Sequence, residues 1–187
     1  AGVPCRKVYL YDGLLGMDIL QRFVVGIDPE AGRISVTEPA RDRSEPRGRD
    51  AGRSGSVWLP LRELAGIPLA DVSVAGRRYR AVIDTSARVS YAPRGALTGA
   101  SVIGEAEDFF PGFGDFRTPL VSLPLELGRH RIDLAFGELP AMLAMLTDRF
   151  GIEVILGTQL LEVFRVTLNF PGGSAVLEPR AVGEQRA

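Results

Sequence analysis

The chain has a single cysteine, Cys5, and a single histidine, His130, among 187 residues. No disulfide can close within it. Zinc sites built on several Cys and His ligands are excluded, and so are His-Glu-x-x-His motifs. A Ser-His-Asp triad would have to use His130, and no Gly-x-Ser-x-Gly elbow is present. No apolar run reaches the ~18 residues that a membrane-spanning helix needs. The formal net charge of -1 supplies no bulk attraction to nucleic acid or acidic lipid, and no nucleic-acid partner is expected. The first residue is Ala, not Met, and no signal peptide precedes it, which reads as a chain that was cut, processed or recovered incomplete. What remains is 45% hydrophobic and 24% charged, enough apolar material for a core.

One phrase is written twice. Leu15, Gly16, Leu20, Phe23, Val25 and Gly32 recur as Leu156, Gly157, Leu161, Phe164, Val166 and Gly173, at a constant offset of 141 residues. The copies close alike, on Glu38-Pro39 and Glu178-Pro179. Self-similarity at a fixed offset means one structural unit used twice. Only the second copy has the rest of a unit ahead of it. The expectation is the end of a first, truncated lobe over 1–38, a linker over 39–56, a complete lobe over 57–180 and a tail over 181–187.

Within 13–38, Met17, Ile19, Leu20 and Phe23 suit two helical turns. Val25 and Ile27 then alternate, Asp28 to Gly32 supplies a turn, and Ile34 and Val36 complete a hairpin. Residues 39–56 hold five arginines among three acids and no apolar face. They read as a flexible, solvated linker rather than a nucleic-acid patch. From Val57 the pattern is that of strands. Val72 and Val74 alternate, Ala75-Gly76 turns, and Tyr79, Ala81 and Ile83 follow on one face with Arg78 and Arg80 on the other. A second hairpin is expected over 119–136, turning at Gly128-Arg129. Pro140 opens a short apolar helix, in which Met142 and Met145 are assigned to the core. His130 is expected exposed at its hairpin turn. Short strands, Gly/Pro turns and one or two small helices predict an all-β, barrel-like lobe.

Asp84 ends a hydrophobic strand and is followed by Thr85, Ser86 and Ala87. A carboxylate there can be held by backbone N–H and hydroxyl donors, although Asp and Ser are also ordinary residues of a strand-end turn. Two pieces together are more specific: Val82-Ile83-Asp84-Thr85-Ser86-Ala87, and, 73 residues from Asp84 to Gly157, Val154-Ile155-Leu156-Gly157 before a short helix. This joint pattern resembles the retropepsin-like aspartic proteases over about Val57 to Pro179. Leu14 to Leu20 matches that family's closing motif alone.

The resemblance implies a closed β-barrel lobe and an aspartic endopeptidase acting on peptide or protein substrates. Asp84 would be one of two aspartates that share a proton and activate water, the other coming from a missing lobe or a homodimer partner. It further implies that Thr85, Ser86, Ala87 and Gly157 support the active-site loop. Thr85 would brace the paired loops, and Gly157 would allow close packing beneath them. Ser86 departs from the family, which has Gly there. Phe110, Gly112, Phe113 and Gly114 lie where the family's substrate-covering flap falls; an aromatic surface loop is the alternative for that segment. No cofactor and no metal are implied, since water and two carboxylates suffice. The rival reading is a catalytically inactive lobe kept for peptide binding or dimerisation.

Overall fold

The computed structural model describes residues 16–39, 55–64, 66–110 and 112–180. Most of the linker read at 39–56, and the tail at 181–187, lie outside the described residues.

The first segment is α1 (Met17–Leu20), β1 (Val24–Asp28) and β2 (Arg33–Thr37). After it come β3 (Val57–Leu64), β4 (Ile67–Val74), β5 (Arg77–Ile83), β6 (Ser90–Tyr91), α2 (Arg94–Leu97), β7 (Val102–Phe110), β8 (Gly114–Leu127) and β9 (His130–Gly137). The chain ends with α3 (Ala141–Arg149), β10 (Val154–Leu156), α4 (Gln159–Val163), β11 (Phe164–Asn169) and β12 (Ser174–Pro179). The protein is all-β with short helices, as the sequence predicts.

One sheet runs in the order β2-β1-β11-β12-β3-β4-β5-β10-β6-β9-β8-β7. An added pairing of β4 with β8, Ser73 opposite Glu126 and Val74 opposite Leu125, closes its middle into a barrel. Alternation fills that barrel. Val72, Val74, Tyr79, Ala81, Leu123, Leu125, Leu134 and Phe136 point inward and are all buried. The Ala75-Gly76 turn has both residues left-handed, φ 50° and 78°, which suits the twist of the β4–β5 hairpin.

Strand β3 belongs to two layers. Its first half pairs with β12 and its second half with β4. It thereby joins the barrel to a second layer, β2-β1-β11-β12. In that layer the two hairpins have the same register, Val24 opposite Thr37 and Arg165 opposite Glu178 marking equivalent steps. Their turns match too. Asp28 Oδ1 accepts the Ala31 N–H at 3.1 Å, and Asn169 Oδ1 accepts the Gly172 N–H at 2.9 Å. Gly32 and Gly173 are left-handed at φ 58° and 60°. Strands β1 and β11 pair antiparallel, with Gly26 opposite Thr167. Those two positions are themselves one offset of 141 apart.

Three expectations are corrected. Met142 and Met145 are 60% and 72% exposed, because α3 buries only Leu143 against the lobe. His130 is half-buried: Nε2 donates to the Gly55 carbonyl, and the ring meets Phe164 edge-on. The last residues read as linker, Gly55 and Ser56, are therefore packed on the lobe rather than solvated.

Candidate active site

Strand β10 is only three residues long, but it organises the site. It lies between β5, to which it is parallel, and β6, to which it is antiparallel. The chain leaves β5, passes over the end of β10 as the loop 84–89, and returns as β6. The Asp84 N–H donates to the Leu156 carbonyl at 2.9 Å, which pins the loop's first residue to the end of β10.

Gly157 closes the clamp. A Cβ there would stand 2.3 Å from the Val89 carbonyl oxygen and 2.8 Å from that of Ala87, so no other residue fits under the loop. Its N–H donates to Ser90 Oγ at 3.1 Å, and Ser90 is fully buried. Thr158 reaches the same loop twice. Its N–H donates to Ala87 O at 2.9 Å and its hydroxyl to Arg88 O at 3.0 Å. Two of the loop's carbonyls, those of Ala87 and Arg88, are thus paired from Thr158.

Asp84 itself is half-buried. Its Oδ1 accepts the Ser86 N–H at 2.9 Å and the Ser86 hydroxyl at 2.6 Å. Among the described residues, Oδ2 has no hydrogen-bond partner. Ser86 needs no left-handed φ to do this; Ala75 alone among the described non-glycine residues has a positive φ. The serine therefore delivers the backbone donor expected of a glycine and adds a second donor from its side chain. Thr85 is exposed and makes no hydrogen bond among the described residues. Beside Asp84 lies an apolar pocket of about 180 Å³, lined by Met17, Leu61, Ile83 and Phe170.

The segment containing Phe110, Gly112, Phe113 and Gly114 is the tip of the long β7–β8 hairpin. Phe110 pairs with Gly114, which leaves only residues 111–113 in the turn. Gly112 and Gly114 take left-handed φ of 83° and 100°, and the Phe113 N–H donates to Phe110 O at 3.0 Å. Phe113 meets Phe116 edge-on at 5.9 Å, and Phe116 meets Tyr91 at 6.1 Å. Beneath the hairpin lies an apolar cluster of Val89, Tyr91 and Ile155, with Ala87, Phe116 and Leu120 packed on it. It connects the Asp84 loop to the hairpin.

Sequence reasoning misses the polar group in this cluster. Asp108, on β7, is 5% exposed. Its Oδ2 accepts the Tyr91 hydroxyl at 2.6 Å and the Arg88 N–H at 3.2 Å, and its Oδ1 the Phe109 N–H at 2.8 Å. Burial, then the hydrogen bond and charge of Asp108, push the Tyr91 phenol well above its ordinary range. The pair ties the hairpin to the Asp84 loop. No motif marks it, since the partners are 17 residues apart and Asp108 follows two exposed acids, Glu105 and Glu107.

A larger pocket of about 410 Å³ opens between α3 and β6–β10, lined by Tyr91, Arg94, Glu138, Met145, Asp148 and Ile155. Among the described residues no group of three or more His, Cys, Asp or Glu side chains is placed to hold a metal ion. No described helix is long and apolar enough to cross a membrane.

No protein-family model matches the chain, and no curated protein matches it by sequence. Solved structures do. An aspartic proteinase from Irpex lacteus matches with TM-score 0.50 and 14% identity, over 87% of this chain and 57% of that one. A retropepsin-like aspartic protease from Rickettsia conorii gives 0.46 and 14%, over 67% and 91%. Simian foamy virus (mac) protease gives 0.36 and 12%, over 49% and 88%. The chain spans little more than half of the Irpex lacteus proteinase. The likeness lies in the fold, and the fold is an aspartic-protease-like β-barrel.

Proposed function

We propose that this chain carries one half of the catalytic centre of an aspartic endopeptidase, with Asp84 as its carboxylate. A second aspartate, from another lobe or subunit, would face it and share one proton with it, because two like charges so close cannot both ionise. The ionised carboxylate takes a proton from water as the water oxygen bonds to the peptide carbonyl carbon. The protonated carboxyl hydrogen-bonds the carbonyl oxygen as charge develops there. Collapse of the tetrahedral species breaks the C–N bond, and the proton passes to the leaving amine.

The observation that carries this reading is the geometry at Asp84. One oxygen is fixed by two donors from Ser86, the other has no partner among the described residues, and the loop is clamped from below by Gly157. A carboxylate serving only a turn has no need of a three-residue strand inserted beneath its loop. Thr85, which is exposed, would brace the facing loop of the second lobe or subunit. The glycine-bearing tip of β7–β8 is the proposed flap, with Phe110 and Phe113 giving apolar contact to a peptide. The apolar pocket beside Asp84 sets a preference for apolar side chains near the scissile bond.

The test is cleavage of a mixed peptide library at acid to neutral pH by the full-length protein and its Asp84→Asn variant. Asn keeps the size and loses the ionisable group. Cleavage is expected from the wild type and not from the variant. Tight peptide binding without cleavage by the wild type would establish the inactive relative instead.

A further inference from the structure

The pocket of about 410 Å³ between α3 and β6–β10 lies close to Asp84 without containing it. Ile155, on its floor, pairs with Val82 of β5, and Asp84 stands two residues beyond Val82. One strand spacing and two residue rises put the backbones of Ile155 and Asp84 about 8 Å apart. An extended peptide advances about 3.3 Å per residue. A side chain two or three residues from a bond held at Asp84 therefore reaches this pocket.

The chemistry of the pocket is divided. Tyr91, Leu139, Ile152 and Ile155 make an apolar floor, and Met145 of α3 forms one wall. The lining also carries three carboxylates, Glu138, Asp148 and Glu153, against one guanidinium, Arg94. Two of the three are answered. Arg94 Nε meets Glu138 Oε1 at 2.8 Å, and Arg80 Nε meets Glu153 Oε2 at 3.3 Å. Asp148, one helical turn beyond Met145 on α3, has no side-chain hydrogen bond or ion pair among the described residues. A wholly apolar occupant would strip water from Asp148 and return no donor to it. An acidic occupant would meet like charge. A long basic side chain satisfies both parts, with its methylenes on the apolar floor and its charged head at the rim.

We propose that this pocket is a specificity site for a lysine or arginine side chain of an extended peptide, with Asp148 as the residue that selects the charge. The peptide context rests on the endopeptidase reading; the choice of a basic side chain rests on the pocket alone. The site is separate from the apolar pocket of Met17, Leu61, Ile83 and Phe170 beside Asp84. Together the two describe a substrate with an apolar residue next to the scissile bond and a basic residue two or three positions away.

The methionines read the site directly. The chain has three: Met145 lines this pocket, Met17 lines the one beside Asp84, and Met142 lines neither. The 187-residue chain, carbon-13 labelled at its methionine methyls, is titrated with acetyl-Ala-Lys-Ala-amide and with the norleucine analogue, which keeps the methylenes and lacks the charge. The Met145 resonance, assigned by Met145→Leu, is expected to shift saturably with both peptides. The lysine peptide should bind about three- to fivefold more tightly, the size of one partly solvated ion pair. Asp148→Asn should bring the two affinities together, and added salt should narrow the gap. Equal or tighter binding of the norleucine peptide by the wild type would overturn the proposal. So would a lysine preference that survives Asp148→Asn, or the absence of any shift at Met145. A lysine preference without cleavage by the full-length protein keeps this site and removes the enzyme reading. Cleavage without the preference does the reverse.

Discussion

Gly157→Ala offers the sharpest perturbation of the clamp beneath Asp84. The new methyl would stand 2.3 Å from Val89 O, 2.6 Å from Val89 C and 2.8 Å from Ala87 O. All three are backbone atoms, so no side-chain rotation relieves the overlap. The loop must lift, and the Thr158 N–H to Ala87 O bond and the Gly157 N–H to Ser90 Oγ bond lengthen with it. Inserting a methyl into a packed site costs about 1–3 kcal/mol, and a rigid backbone wall places this one at the upper end. For a chain of this size that is a fall in Tm of roughly 6–12 °C. Gly95→Ala is the control: it lies in α2, with nothing within 4 Å of its added Cβ. It should leave Tm unchanged or raise it slightly, by reducing the freedom of the unfolded chain. Thermal melts of the two variants decide the matter. A Gly157→Ala protein that melts with the wild type would refute the close packing of the loop on β10.

Two other substitutions bear on parts of the site and sheet. Asp108→Ala strands the Tyr91 hydroxyl and two backbone N–H groups, and should cost about 3 kcal/mol in urea unfolding, with Asp108→Asn costing less; equal stability of all three proteins would dismiss the Asp108–Tyr91 tie. The Asp28 carboxyl is held below its ordinary range by the Ala31 N–H first, then by Arg165, which it meets at 2.9 Å. A lowered folded-state pKa gives stability that is present above the unfolded value and lost as pH falls through the folded one. Asp28→Asn keeps the turn, as Asn169 does in the matching hairpin, and should flatten the loss of stability below about pH 4; an unchanged acid limb in urea melts would contradict this.

The elements that could be read from the sequence are those with a regular period and a marked turn. Val72 to Ile83 alternates around Ala75-Gly76, and β4 and β5 form there. The hairpin of β1 and β2 follows from Asp28 to Gly32. The strand β10 is legible only through resemblance, because three buried residues carry no period of their own. Met142 and Met145 mislead because apolar residues at helical spacing imply a covered face, and α3 leaves that face open. His130 misleads because its partner, Gly55, lies in a polar segment with no apolar signal. The Asp84 loop was visible as a motif. What Ser86 does in it was not, since its two donors converge on Oδ1 only once the backbone turns. The Asp108–Tyr91 pair depends on β7 folding back over β6, which no local pattern encodes.

Asp84 is proposed to work as one of two coupled carboxylates. The pH dependence of kcat/KM for peptide cleavage by the full-length protein tests it most directly. Coupled carboxylates titrate in two macroscopic steps, and only the singly ionised pair is active. A bell with both limbs in the carboxylate range is expected, lost altogether in Asp84→Asn. A profile that rises to a plateau through neutral pH, or a bell that survives Asp84→Asn, would contradict it.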